Sequence, residues 1–226
     1  MKFRPALGQS DFRNMREMGA GYVDKSSFIS HLLDDINSVA LFPRPRRFGK
    51  TLNLSMLGYF LRKSEESLYH LFDGLEVTRD ARAMAHFQKY PTVSVTFKDV
   101  KADALSGAMV GIREQVISAF DTHRYVLDSP KLSSTKARQF RSVLDGTIGD
   151  DELQYSFKWL TQILHQHHET PVVVLVDEYD TPIQSGYMYG YFDKMVLFFR
   201  NFFSSVFKDN VSLFKGVLTG ILRVSK

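Results

Sequence analysis

Five consecutive apolar β-formers, Val172-Val173-Val174-Leu175-Val176, run straight into Asp177-Glu178. A strand that is apolar at every position has no solvated face, so it belongs in a sheet covered on both sides. Sheets of that kind are parallel, and parallel strands need long, usually helical, crossovers. The remaining pattern supplies both parts. Strands are expected at 39–42, 92–97, 171–176 and 213–218, and amphipathic helices at 51–63, 105–120, 151–168 and 191–208. Ser10 and Asp24 read as helix caps, the latter for a helix carrying Phe28, Ile29, Leu32 and Leu33. A helical connection is expected over 64–72, followed by a turn-rich stretch with an Ala-rich helical piece. Asp180-Thr181-Pro182 reads as a break, and Gly186 and Gly190 as a flexible loop. Residues 121–150 read as a surface insertion containing a short helix. The alternation predicts one three-layer α/β domain over 1–226.

The chain has 226 residues, 44% of them hydrophobic, which suffices for a self-supporting core. It contains no Cys, which excludes disulfides, thiolate metal sites and a cysteine nucleophile. Lys and Arg number 29 against 25 Asp and Glu, an excess of +4 that is too small to mark a nucleic-acid tail. The opening residues lack the apolar run of a signal peptide and no stretch has the length of a membrane span, so a cytoplasmic protein without membrane attachment is expected.

Two segments carry chemistry. Gly49-Lys50-Thr51 lies between the strand at 39–42 and an amphipathic helix, the setting of a phosphate-binding loop, although Arg44 stands where the usual pattern has Gly. Free N–H groups at the helix start would bind phosphate oxygens. Gly49 would let the backbone pass close, Lys50 would reach the β- and γ-phosphates, and Thr51 would place its hydroxyl on Mg²⁺. Arg44, Arg46 and Arg47 add donors around the loop. The second segment is Asp177-Glu178 at the carboxyl end of the buried strand, where open α/β sheets place ligands. Asp177 suits a metal-holding role and Glu178 a general base for water. Thr219, after the last strand, is a candidate for sensing the γ-phosphate, and Arg223 and Lys226 are cations that would reach phosphate.

With DFRNMREMGAGYVDKSSFI at 11–29, RPRRFGKTL at 44–52, VVLVDEYDTPI at 173–183 and VLTGILRVSK at 217–226, the chain resembles the AAA-ATPase-like domain of bacterial and archaeal P-loop proteins, which often carry a restriction-endonuclease-like nuclease domain behind it. In that family Arg in place of the first loop Gly is normal. The resemblance implies a P-loop fold with a catalytic glutamate and strand order 5-1-4-3-2, ATP and Mg²⁺ as cofactors, and nucleotide contacts at Arg46, Arg47, Phe48, Gly49, Lys50, Thr51 and Leu52. It also brings the YVDK segment near the nucleotide, with Tyr22 as a candidate to stack on adenine. Nothing is left over for strand 5 or a C-terminal lid, so a C-terminally truncated domain with an uncovered edge at 39–42 is expected. A second copy of the chain would be the simplest cover.

The leading expectation is Mg²⁺-dependent ATP hydrolysis coupled to a partner or to a missing C-terminal nuclease-like domain. The alternatives are a nucleotide-dependent interaction module with little turnover and a nucleic-acid-associated module. The broad Phe face of 191–208 implies a helix sandwiched between layers or awaiting a partner. The histidines at 165, 167 and 168 lack the spacing of a helical metal pair.

Overall fold

The computed structural model describes residues 8–222; Arg223 and Lys226 lie outside them. In chain order the elements are α1 (Phe12–Glu17), α2 (Ser27–Asp34), β1 (Val39–Pro43), α3 (Lys50–Leu61), α4 (Ala81–Met84), β2 (Thr92–Thr96), α5 (Leu105–Asp121), α6 (Ser134–Leu144), α7 (Asp150–Leu153), α8 (Ser156–His168), β3 (Val172–Asp177), α9 (Thr181–Tyr189), α10 (Phe192–Phe207) and β4 (Leu213–Gly220). Short 3₁₀ turns lie at Tyr69–Leu71, Glu76–Arg79 and Arg124–Asp128.

The four strands form one all-parallel sheet in the order β1-β4-β3-β2. Every residue of β3 is buried, as its unbroken apolar run requires. Successive side chains of a strand point to opposite faces, and β3 divides accordingly. Val173 and Leu175, with Val217 of β4, join a core made with Phe12, Met56, Leu57 and Phe60 of α1 and α3. Val172, Val174 and Val176 join the core of the other face, with residues of α5, α6, α8, α9 and α10. Because all strands run the same way, Pro43, Thr96, Asp177 and Gly220 end at one edge of the sheet. β1 pairs only with β4 among the described residues, and Leu41 at its centre is 36% exposed.

Several local expectations are corrected. Residues 181–189 are helical, because Pro182 sits in the first turn, where its missing N–H costs nothing, and Gly190 closes the helix in the left-handed conformation. Residues 121–150 carry the expected helix and are mostly exposed, but they are anchored: Val126, Phe140, Val143 and Ile148 are buried, and Phe140 packs on Phe120 with ring centroids 4.9 Å apart. Asp11, not Ser10, caps α1, accepting the Asn14 N–H at 2.8 Å. Ser26 holds the cap position of α2, while Asp24 accepts the N–H groups of Ser26 and Glu76. Residues 64–72 form only a 3₁₀ turn. The Phe face of α10 is mostly covered, with Met195, Phe199, Phe202 and Val206 buried and Phe198 stacked on Phe202.

Candidate functional site

The loop between β1 and α3 is bent by two left-handed residues, Arg47 (φ 68°) and Gly49 (φ 74°). Gly49 is the residue before the first helical position of α3, and a Cβ built on it meets nothing within 4 Å. The glycine therefore serves the backbone turn and leaves open space beside the helix start, where unpaired N–H groups collect. Lys50 folds back over this loop, its Nζ donating to the carbonyl oxygens of Arg44 at 2.8 Å and Pro45 at 3.0 Å. Arg44, Pro45, Arg46, Arg47 and Phe48 are exposed. None of the three arginines is ion-paired among the described residues. The Leu52 side chain packs against the α3-side core.

Asp177 closes β3 and is 5% exposed. Its Oδ2 accepts the Thr51 hydroxyl at 2.7 Å across 126 residues of sequence. Its Oδ1 accepts the hydroxyl of Thr219, itself buried on β4. Three adjacent elements thus converge on one carboxylate, each through the residue singled out by sequence. Glu178, next along the chain, adopts a left-handed backbone (φ 49°), uncommon for a residue with a side chain. Its Oε2 accepts the Thr181 hydroxyl at 3.3 Å.

The two residues after Glu178 were not legible as part of the site. Asp180 is 1% exposed, and its Oδ2 accepts the main-chain N–H groups of Ile221 at 2.9 Å and Leu222 at 2.8 Å and the Gln184 amide at 2.7 Å. Tyr179 donates its hydroxyl to the Leu222 carbonyl at 2.5 Å. Gly220 is required by this contact, since a Cβ there would lie 2.6 Å from Asp180 Oδ1 and 2.7 Å from Tyr179 Cε1. The signal lay in the four-residue block DEYD itself, whose last carboxylate serves the chain beyond Thr219.

Tyr22 lies apart from this convergence. Its ring meets Phe12 edge to face at 5.6 Å, and its hydroxyl donates to Met56 Sδ at 3.1 Å. Burial pushes its phenol up to about 12. These contacts tie it to the core under α3.

From Thr51 and Asp177 a cleft of about 940 Å³ runs along β2 between α3 and the end of α5. At its far end the Tyr125 hydroxyl lies 2.8 Å from His168 Nε2 and 3.3 Å from His123 Nδ1. Burial, with His168 beside it, holds His123 down to about 4. Burial likewise holds His168 to about 4, with His167, Lys63 and Lys131 adding to the effect. Burial also pushes Tyr125 up to about 12. His165 meets Ser212 instead, at 3.1 Å. No helix among the described residues is long and apolar enough to cross a membrane.

The family model described as AAA-ATPase-like, predicted AAA-ATPase, matches residues 6–226. No curated protein and no solved structure matches the chain.

Proposed function

The chain belongs to the AAA-ATPase-like family, and from that membership and the site geometry we propose that it binds ATP with Mg²⁺ and hydrolyses the β–γ phosphoanhydride. The observation that carries this reading is the Thr51–Asp177 hydrogen bond. It joins the first turn of the loop-following helix to the end of the central strand, the two places from which phosphate-binding folds hold a metal.

Among the described residues no three His, Asp or Glu side chains converge to hold a metal. Mg²⁺ takes one or two protein oxygens and completes its shell with phosphate oxygens and water. Thr51 and Asp177 are the residues that would hold it. Bound there with the nucleotide, the ion would neutralise charge on the β- and γ-phosphate oxygens.

The protein's own part divides among named atoms. Lys50 exchanges two neutral carbonyl acceptors for anionic phosphate oxygens, so that its ammonium is paired with an opposite charge. The open space beside Gly49 admits the phosphates to the N–H groups at the helix start. Arg46 and Arg47, exposed and without ion pairs among the described residues, would add cationic contacts. Glu178 takes a proton from the attacking water, whose oxygen bonds to the γ-phosphorus as the bond to the bridging oxygen breaks. Thr219 holds Asp177 from the β4 side, fixing the carboxylate that Thr51 shares.

Asp177→Asn tests the assignment. Removing the charge should weaken Mg²⁺-dependent ATP binding more than metal-free binding, because the lost interaction is with the ion. An unchanged metal dependence in a titration of both proteins would make Asp177 a structural residue.

A further inference from the structure

β2 pairs with β3 on one side and has no strand on the other among the described residues. The parity of its ladder shows which groups are left over. Val173 N–H bonds Pro91 O at 2.9 Å and Phe97 N–H bonds Asp177 O at 3.0 Å, so the odd-numbered residues turn their main chain toward β3. In a parallel ladder alternate residues face opposite edges, and Thr92, Ser94 and Thr96 therefore face outward.

That outer edge is competent to pair, because this chain begins to do so. Just before β2, Tyr90 forms a parallel bridge with Arg62: its N–H bonds Leu61 O at 2.9 Å and its carbonyl accepts Lys63 N–H at 2.7 Å. The bridge is isolated and the pairing stops there. His123, 6% exposed, lines the cleft together with Thr92 at this end of the edge. Past it, the edge at Ser94 and Thr96 looks into the cleft of about 940 Å³. Ser55, Tyr59 and Arg62 form one wall, and Ala119, Thr122 and His123 the other. Exposed edges are normally blunted by charge, proline or a bulge within the strand. β2 reads Thr-Val-Ser-Val-Thr, with none of these, and Ser94 at its centre is exposed.

We propose that this cleft binds an extended polypeptide segment of a partner protein, which adds to the sheet at Ser94 and Thr96 along the line begun by residues 61–63. The free groups are main-chain donors and acceptors at strand spacing, and the matching ligand is another main chain in extended form. The groove has helical walls on both sides, which supply places for alternate side chains of the incoming strand. Its other end is Thr51 and Asp177, so the segment lies beside the nucleotide site. The peptide site stands on the edge geometry alone. Its coupling to ATP rests on the function proposed above.

The test begins with random ten-residue peptides displayed on phage and selected on the full chain. An enriched peptide is then synthesised unmodified and N-methylated at alternate residues in each of the two registers. Binding read by fluorescence anisotropy should fall about tenfold or more for one methylation register and little for the other, as expected when only alternate N–H groups face the sheet. Ser94→Arg, which fills the groove from an exposed position, should lose binding to a similar degree with its melting temperature unchanged. The Ser94 and Thr96 amides should gain hydrogen-exchange protection in the complex, a readout that needs no variant. Failure to enrich any peptide, equal tolerance of both methylation registers, or protection confined to other segments would overturn the proposal. Lys50→Ala should keep peptide binding while losing ATP, which separates this site from the nucleotide reading. If Mg-ATP leaves wild-type peptide affinity unchanged, the coupling is refuted.

Discussion

Two arms meet at the candidate site, and they are built in opposite ways. The loop arm, residues 44–49, exposes Arg44 through Phe48 and leaves its arginines without ion pairs among the described residues. The carboxylate arm, residues 177–181, buries Asp177, Tyr179 and Asp180 and ties them to Thr51, Thr219, Ile221 and Leu222. The difference fits the parts proposed for the two arms. A loop that receives phosphate must keep donors free, so its own contacts are few and exchangeable, chiefly the Lys50 bonds to two carbonyls. An arm that supplied a base and held a metal, as proposed here, would have to be fixed before the ligand arrived. It can hold Glu178 in an uncommon left-handed conformation because the residues on both sides are anchored.

Substitutions in the two arms should therefore fail differently. The largest effect is expected from Glu178→Gln, which keeps the shape and removes the base. Steady-state turnover should fall by roughly 10²–10⁴-fold while ATP affinity is retained. Turnover equal to wild type would take the base away from Glu178 and leave the rigid arm without a catalytic purpose.

Gly220→Ala should act through stability. The added Cβ would lie 2.6 Å from a buried carboxylate oxygen, and overpacking of this kind costs about 1–3 kcal/mol. Urea unfolding should report that loss, together with weakened ATPase activity as the segment after Thr219 shifts. A Gly220→Ala variant as stable as wild type would show that the contact between Gly220 and Asp180 is not tight. At the small end, Phe48→Ala on the exposed loop should change stability by less than about 0.5 kcal/mol. A large loss in the same urea experiment would erase the contrast between the arms.

The contrast also marks what can be read from a sequence. Strand β3 was legible because burial on both faces requires an unbroken apolar run, and the loop because Gly, Lys and Thr must be consecutive to serve a helix start. Thr219 was legible as a polar residue at the end of an apolar strand. Helix α9 was not, because Pro182 and Gly190 act as breakers in a pattern scan, whereas here they start and close the helix. Asp180 stayed hidden because its partners, Ile221 and Leu222, are about forty residues away and are reached through main-chain N–H groups that carry no side-chain signature. The segment 121–150 looked loose because Ser, Thr and Gly outnumber its core residues, yet Phe140 and Val143, three positions apart on α6, suffice to dock that helix. The cleft beside β2 depends on which edge the chain leaves unpaired, a property of the assembled sheet.

If the loop arm is a nucleotide site, its lysine waits on its own carbonyls until phosphate replaces them. Titration calorimetry of Mg-ATP into the wild-type chain and into Lys50→Ala tests this most directly. Measurable binding by the wild type is expected, with a loss of roughly tenfold or more in the variant, the scale of a charge-assisted contact, and both proteins should melt alike. Equal affinity in the two proteins, or no binding by a folded wild-type chain, would contradict it.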